Sequence, residues 1–426
     1  MEKISAIRGF VALLMAFVWL LPSIGWAQPG PPSGPPTPPT PPKTVNCSVK
    51  TIGEAPGTLK PGDTLLVSGT CNENLVIREE VHRITLDGQG TATINGGPAT
   101  DPGPEVVVIR GAGITIKGFT VTGGRIGINV VRGGTATLDG NFIQNTGRNG
   151  VNVNDSSAAR VLNNTIQNNP NTGISINGGS SVDIGFAGMP ADRVPSPNTI
   201  QNNGIGIAVQ RSSVAQIGYN TITNNTGRGI QVTNNSHAQI GGLSNTGPSG
   251  NTISQNGSDG IRVSGSSQVN IAGNTVGNNI GRGVFVSDSS SASIFADLGA
   301  TPSTTTPNTI QQNGLVAARR DGILVQSSSS ASISGSTISN NTGHGVRVVR
   351  TSHASVGGNA INNSGLDGIR LEENSGVNLD QANTGSNSQF GLRCLIGAYA
   401  RGSIGTLTGG SGATSFDATC INATSP

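Results

Sequence analysis

A four-residue unit, glycine–apolar–any–apolar, returns along this chain at a spacing that leaves few folds open. It stands at Gly127 (GINV), Gly150 (GVNV), Gly173 (GISI), Gly206 (GIAV), Gly229 (GIQV) and Gly260 (GIRV), and again at Gly283 (GVFV), Gly322 (GILV), Gly345 (GVRV), Gly368 (GIRL) and Gly391 (GLRC). Successive glycines are 23, 23, 33, 23, 31, 23, 39, 23, 23 and 23 residues apart. A fixed period with occasional enlarged copies marks a solenoid. Each period holds two more short elements: a serine-rich strand ending in an apolar residue, as in SSVAQIG (Ser212–Gly218), and an Asn-Thr-apolar strand, as at Asn198, Asn220, Asn251, Asn274 and Asn308. None of the three buries an apolar face alone. Stacked coils do, with Ile and Val of successive rungs forming one interior column about 4.8 Å per step. Glycine at the turns is expected to supply positive φ, and the recurrent asparagines to form side-chain ladders along the stack. The expectation is therefore an all-β chain, a single-stranded parallel β-helix of 23-residue coils with three strands per coil.

This pattern decides how the composition is read. With 64 glycines and 3% aromatic residues the chain could pass for a disordered one, but a strict period of apolar pairs argues for a packed interior. Residues 1–27 read as a secretory signal. Lys3 and Arg8 give a basic start, Phe10 to Leu21 an apolar run, and Gly25-Trp26-Ala27 a small-residue cleavage site. An uncleaved signal anchor is the alternative; otherwise no transmembrane segment is expected in the mature chain. Residues 28–43, QPGPPSGPPTPPTPPK, read as an extended proline-rich linker. Four cysteines in an exported chain suggest two disulfides, with three possible pairings. Cys47 with Cys71 and Cys394 with Cys420 would staple the two ends of the ordered region. The formal charge of +3 falls to +2 without residues 1–27, which carry Lys3 and Arg8 against Glu2. Such a balance, with few aromatics for stacking, argues against a nucleic-acid partner.

The coil pattern, together with KPGDTLLVSGTCNENLVI (Lys60–Ile77) and GAGITIKGFTVTGG (Gly111–Gly124), resembles the right-handed parallel β-helix repeat proteins of the pectin-lyase-like superfamily. The resemblance runs from about Val45 onward, with residues 44–110 as N-terminal cap and first coils and 111–426 as β-helix repeats. It implies right-handedness, which parallel crossovers also favour. It fixes no chemistry, because this fold hosts lyases, hydrolases, epimerases, tailspikes and adhesins.

The three long steps place their extra residues at one corner. From the end of the serine-rich strand to the next Asn, a plain coil takes 3 residues (Ile217 to Asn220), whereas Ile184 to Asn198 takes 14, Ile240 to Asn251 takes 11 and Ile294 to Asn308 takes 14. They are expected to stand as posts about 10 Å apart, two rungs, or to be drifted surface loops. A further bulge, LVAARR (Leu315–Arg320), precedes Asp321.

Two columns carry charge. The residue before each tetrad glycine runs Ile126, Asn149, Thr172, Ile205, Arg228, Asp259, Arg282, Asp321, His344, Asp367, Phe390. Near-alternating signs suit an exposed, self-satisfied salt-bridge ladder. The third tetrad residue, pointing outward, runs Asn129, Asn152, Ser175, Ala208, Gln231, Arg262, Phe285, Leu324, Arg347, Arg370, Arg393. Arginines on three successive rungs repel unless Glu372 and Glu373, or an anionic ligand, lie over them. Two readings of this face stay open, a ladder and a site. As a site, Asp321, His344 and Asp367 are its catalytic candidates. Two carboxylates two rungs apart, about 10 Å, are near the upper end for inverting glycoside hydrolysis. Arg320, Arg347, Arg370, Arg393 and Arg262 are its candidates for binding an acidic polysaccharide or cell-surface glycan. The superfamily resemblance implies that His344 would be the base and Arg347 or Arg370 the uronate neutraliser of a lyase or epimerase. However, the Asp-Pro-His-Asp run of the alginate epimerases and any polygalacturonase signature are missing. His237 and His353 read as surface positions of the serine-rich strand. Asp259, Asp321 and Asp367 form a candidate calcium set, against which the intervening arginines argue; no other cofactor is implied. The expected function is that of an exported β-helix protein, secreted, periplasmic or at the cell surface. It would bind and, as a lyase, epimerase or hydrolase, modify an acidic polysaccharide, with a non-catalytic surface or adhesive solenoid as the alternative.

Overall fold

A computed structural model describes residues 42–188, 192–243, 247–297, 305–314 and 320–425. The expected signal, residues 1–27, and nearly all of the expected proline-rich linker, like Leu315 to Arg319 of the bulge, lie outside the described residues. The chain winds as a parallel β-helix. The tetrads form one face, a sheet of 14 strands from Leu75–Ile77 to Gly412–Phe416; we call it the glycine face. The serine-rich strands and the Asn-Thr strands make two further faces, joined into one sheet of 28 strands by Thr85–Asn95 and Ile114–Thr122, which run through both. The three-strand coil predicted from the repeat is what forms. Strand Lys43–Asn46 pairs parallel with Thr64–Ser68, so Lys43 belongs to the fold rather than to the linker.

Register explains the repeat. On the glycine face Ile128, Val151, Ile174, Ile207, Ile230, Ile261, Val284, Ile323, Val346, Ile369 and Leu392 stack in one column, all fully buried. Glycines at the turns, among them Gly133, Gly178 and Gly179, have the positive φ expected of them, whereas the tetrad glycines do not. They are needed because space is missing. A Cβ on Gly345 would lie 2.4 Å from Ile361 Cγ2 and 2.7 Å from the Gly368 oxygen. The left-handed corners fall mostly to other residues, among them Asn168, Asn224, Asn278 and Asn340, at φ 55–58°, which asparagine tolerates best after glycine.

Buried polar ladders run along the corners. In the first, Asn141, Asn164, Asn198, Asn220, Asn251, Asn274 and Asn308 each pass their backbone N–H and Nδ2 to the Oδ1 of the next, at 2.8–3.3 Å. A second joins Asn169, Asn203, Asn225, Asn256, Asn279, Asn313 and Asn341 in the same way. A third passes from Ser157 through Ser180, Ser213, Ser236, Ser267, Ser290 and Ser329 to Ser352. Polar groups at the bends, Ser157 Oγ and Ser364 Oγ excepted, are thus satisfied away from water, which is what allows such a polar sequence to pack.

The ends differ. Cys47 and Cys71 form the expected disulfide. Cys394 and Cys420 do not, contrary to expectation. Cys394 is buried on the last coils of the glycine face, where burial and next the neighbouring Cys420 thiol push its own thiol up, and both cysteines are free. The turn holding Cys420 is fixed instead by Asp417, whose carboxylate accepts the N–H groups of Ile396 and Thr419.

The inserted loops leave one corner, as expected, but they are not free posts. The first carries the antiparallel pair Phe186–Ala187 and Val194–Pro195. The second folds back so that Leu243 and Ser249 cover Gly218 of the neighbouring plain coil. The third sets Asp297 against Gly273, where its carboxylate also accepts the N–H of Ser249 at 3.1 Å. Loop roots two coils apart are therefore bonded into a strip.

Candidate functional site

The outward column of the glycine face changes character along the axis. Asn129, Asn152, Ser175 and Ala208 occupy it at first, with Asn152 donating to the Asn129 side-chain oxygen at 2.8 Å. Further on come Gln231, Arg262, Phe285, Leu324, Arg347, Arg370 and Arg393, in direct register from rung to rung. The three consecutive arginines are thus stacked as the sequence implied. At rung spacing, two guanidinium groups repel by about 1 kcal/mol in bulk water and about 3–4 kcal/mol at an effective dielectric constant near 20.

Glu372 relieves part of that. Its carboxylate, on a residue only 6% exposed, bonds Arg347 Nη2 at 2.6 Å and Arg370 Nε, and its own N–H donates to Ser375 Oγ at 3.1 Å. Burial pushes the Glu372 carboxyl up, but Arg347 first and Arg370 next outweigh it and hold it below its ordinary value. Arg347 shows the converse: burial opposes its charge, and the Glu372 bond more than restores it. Glu373 instead meets Arg350 at 3.4 Å on the exposed surface.

Arg393, one rung beyond Arg370, has no acidic partner among the described residues. Its guanidinium lies 5.4 Å from the Phe390 ring, and its buried Nε has no hydrogen-bond acceptor. His344, Arg347, Leu366, Arg370, Glu372, Gln389 and Arg393 line an open depression of about 320 Å³. Leu366 and Gln389, two positions before their tetrad glycines, escaped the sequence reading. The signal was there, because the matching positions before Gly283 and Gly345 are glycines, and side chains at this place raise a wall.

The column before the glycines is buried, not exposed as predicted: Asp259, Asp321, His344 and Asp367 are at most 5% accessible. Its alternation has a structural cause. Each acceptor takes the N–H one coil on: Asp259 from Arg282 at 2.9 Å, Asp321 from His344 at 2.9 Å, His344 Nδ1 from Asp367 at 3.2 Å, and Asp367 from Phe390 at 3.1 Å. Asp367 also lies 3.3 Å from His344 Nδ1 and 3.2 Å from Arg370 Nη1. Burial raises its carboxyl, but His344, then the Phe390 N–H and Arg370, hold it low. Of the catalytic candidates, only His344 lines the depression. Its Nδ1 faces both the Asp367 N–H and the Asp367 carboxylate, so this one residue orients the ring.

Other candidates lie elsewhere. Arg262 is three rungs from Arg347 and stacks over Phe285 at 4.9 Å, with Arg282 over the same ring at 4.5 Å. Arg320 bonds Thr342 through its N–H and acts electrostatically on Arg282, not within the depression. Asp259, Asp321 and Asp367 sit on alternate rungs with Arg282 and His344 between them. Each already accepts a main-chain N–H, so together they do not form the close oxygen cage that calcium needs.

The family model described as "Periplasmic copper-binding protein (NosD)" matches residues 67–242, and "Right handed beta helix region" matches 196–297 and 294–400. Among the described residues one group of potential metal donors touches the first segment, Cys47, Cys71 and Glu73, and its two cysteines are spent on the disulfide. His82 and His237 stand apart. No protein of curated function matches the chain. Among solved structures, the periplasmic alginate epimerase AlgG is similar over 90% of this chain and 84% of its own, at 15% identity and a TM-score of 0.45. The A-module of an Azotobacter vinelandii mannuronan C-5 epimerase is similar over 88% and 89%, at 13% and 0.38. An alginate lyase from Paenibacillus is similar over 74% and 94%, at 16% and 0.34. Repeat, register and family models agree on the fold: the chain is a right-handed parallel β-helix repeat protein.

Proposed function

We propose that this is an exported protein that binds an acidic polysaccharide through the arginine column of its C-terminal coils. The observation that carries the reading is Arg393. It stands in register with two arginines that share one buried carboxylate, yet it has no acid of its own. Glu372 provides a template. A carboxylate placed one rung further on would bridge Arg370 and Arg393 as Glu372 bridges Arg347 and Arg370, with the guanidinium forks matching its oxygens. A polymer laid along the axis presents such groups repeatedly. The lining carries three arginines against one glutamate, so an anion is favoured over a neutral sugar. Among the described residues no helix is long and apolar enough to cross a membrane, and residues 1–27 have the form of an export signal.

Binding comes before turnover in this reading, because Asp321 and Asp367 are committed to main-chain bonds. A catalytic role has one supporting observation, the presence of His344 in the depression. The test is a binding and turnover screen over oligouronates and sulfated glycans, with His344→Ala and Arg347→Ala/Arg370→Ala beside the wild type. Binding without new chain ends, lost in the double arginine variant, is the expected result. New unsaturated or reducing ends that vanish in His344→Ala would make the protein an enzyme. Silence towards every polyanion would refute the proposal.

A further inference from the structure

A different face of the same coils carries a feature that anion binding does not use. Tyr399 points outward from the serine face and is 36% exposed, among the few large apolar side chains that are so open. It does not stand up from the sheet. The rung below offers Gly376 in direct register, and a Cβ there would fall 2.2 Å from the Tyr399 ring. The ring therefore lies down across the glycine and reaches the second rung below. There its hydroxyl meets His353 Nδ1 at 3.0 Å, and the two rings stack with centroids 6.0 Å apart at 26°. Burial, and next the Arg401 charge, keep the His353 imidazole below its ordinary pKa, and its bond to the phenol holds the Tyr399 ring down. The result is a flat aromatic surface fixed at both ends, with one side on the sheet and the other facing water.

Its rim is polar and preoriented. Arg401, two residues along the Tyr399 strand, is held by Asn378 at 2.6 Å, and Asp380 accepts the Ser355 hydroxyl. The one guanidinium and the one carboxylate cancel, unlike the net positive lining on the glycine face.

We propose that this patch is a second binding site, for an uncharged hexose unit of a glycan. An exposed ring lying flat offers its π-face to the axial C–H groups of a pyranose. Planar amide, guanidinium and carboxylate groups beside it match a sugar's paired hydroxyls. The absence of net charge selects a neutral sugar over a uronate. Preorganisation by Gly376 and His353 removes the ordering cost that a free tyrosine would meet.

The test is saturation-transfer NMR on the purified protein with gluco-, manno- and galacto-oligosaccharides at millimolar concentration, alongside Tyr399→Ala, Tyr399→Phe and Arg401→Ala. At least one series should receive saturation on its ring C–H protons. Affinity should drop at least tenfold in Tyr399→Ala, stay within about threefold in Tyr399→Phe, and fall severalfold in Arg401→Ala, which leaves the ring in place. No transfer to any of the three series, or transfer unchanged in both Tyr399→Ala and Arg401→Ala, would overturn the site. Neither result depends on the arginine column, since the Arg347→Ala/Arg370→Ala variant should bind these neutral sugars as the wild type does.

Discussion

The two halves of the glycine face share one backbone and one interior, yet their outward columns solve the stacking problem in opposite ways. In the N-terminal half, identical neighbours are compatible: Asn152 donates to Asn129 and the column closes on itself. In the C-terminal half, identical neighbours conflict, and Arg347, Arg370 and Arg393 must look outside their own column for partners. A register that repeats every 23 residues magnifies whatever is placed on it. Repeating an amide builds a ladder; repeating a charge builds a demand for counter-charge. Glu372 bonds two of the three arginines, and Arg393 is what remains.

The largest effects should be the same in both halves, because the interior is shared. Asn164→Ala and Asn256→Ala each remove a buried acceptor used by the preceding asparagine and the side-chain Nδ2 donor sent onward. Each should cost about 3–5 kcal/mol, by denaturant unfolding. A large difference between the two would break the premise that the halves differ only outside.

Glu372→Gln should be smaller and confined to one half. It leaves Arg347 without its acidic partner and Arg370 with Asp367 alone, for about 2–3 kcal/mol of stability, while Asn152→Ala should cost under about 1 kcal/mol. The same Glu372→Gln should raise affinity for a polyanion, because a competing internal carboxylate is gone. Lower affinity would mean that Glu372 shapes the site rather than fills it.

Acid should separate the halves next. Glu372 and Asp367 have lowered carboxyl pKa values, through Arg347 and His344 respectively, against the effect of burial. Their stabilisation is complete above the ordinary carboxylate range, near pH 4, and is lost as pH falls through the lowered values. Asp183, on the N-terminal coils, has the opposite sign: burial raises its pKa, with Arg160 and Arg193 only partly offsetting this. Its ionisation costs stability, which that region regains as pH falls through the raised value. Hydrogen exchange between pH 6 and pH 3 should therefore loosen Val346–Leu371 more than Val151–Ile176. Uniform loosening would contradict the assignment.

Much of this was readable beforehand, and the gaps have physical reasons. Period, strand count and register follow from inward pairs such as Val346 and Val348, because a one-residue slip would turn them to solvent. Stacked Arg347, Arg370 and Arg393 could be placed on one face for the same reason. What periodicity cannot carry is contact between columns. That Asp321 and Asp367 face the next coil's N–H rather than water depends on where the bend points. Likewise, that Glu372 bridges two arginines, or that Tyr399 lies over Gly376, depends on side-chain direction and local room. The role of the tetrad glycines is of the same kind: crowding by Ile361 and Gly368 at Gly345 requires them, which residue type alone does not show.

The smallest expected change in stability belongs to the variant that tests the anion site most directly. Arg393→Ala breaks no ion pair among the described residues, so unfolding should move by no more than about 0.5 kcal/mol. Titration calorimetry of a defined oligouronate against the wild type and Arg393→Ala, at low and at physiological salt, isolates its role. The account predicts binding that weakens with salt, as a charge-driven contact must, and at least tenfold weaker binding in the variant. Equal affinity in the two proteins would contradict it, and would leave the arginine column as surface charge without a ligand.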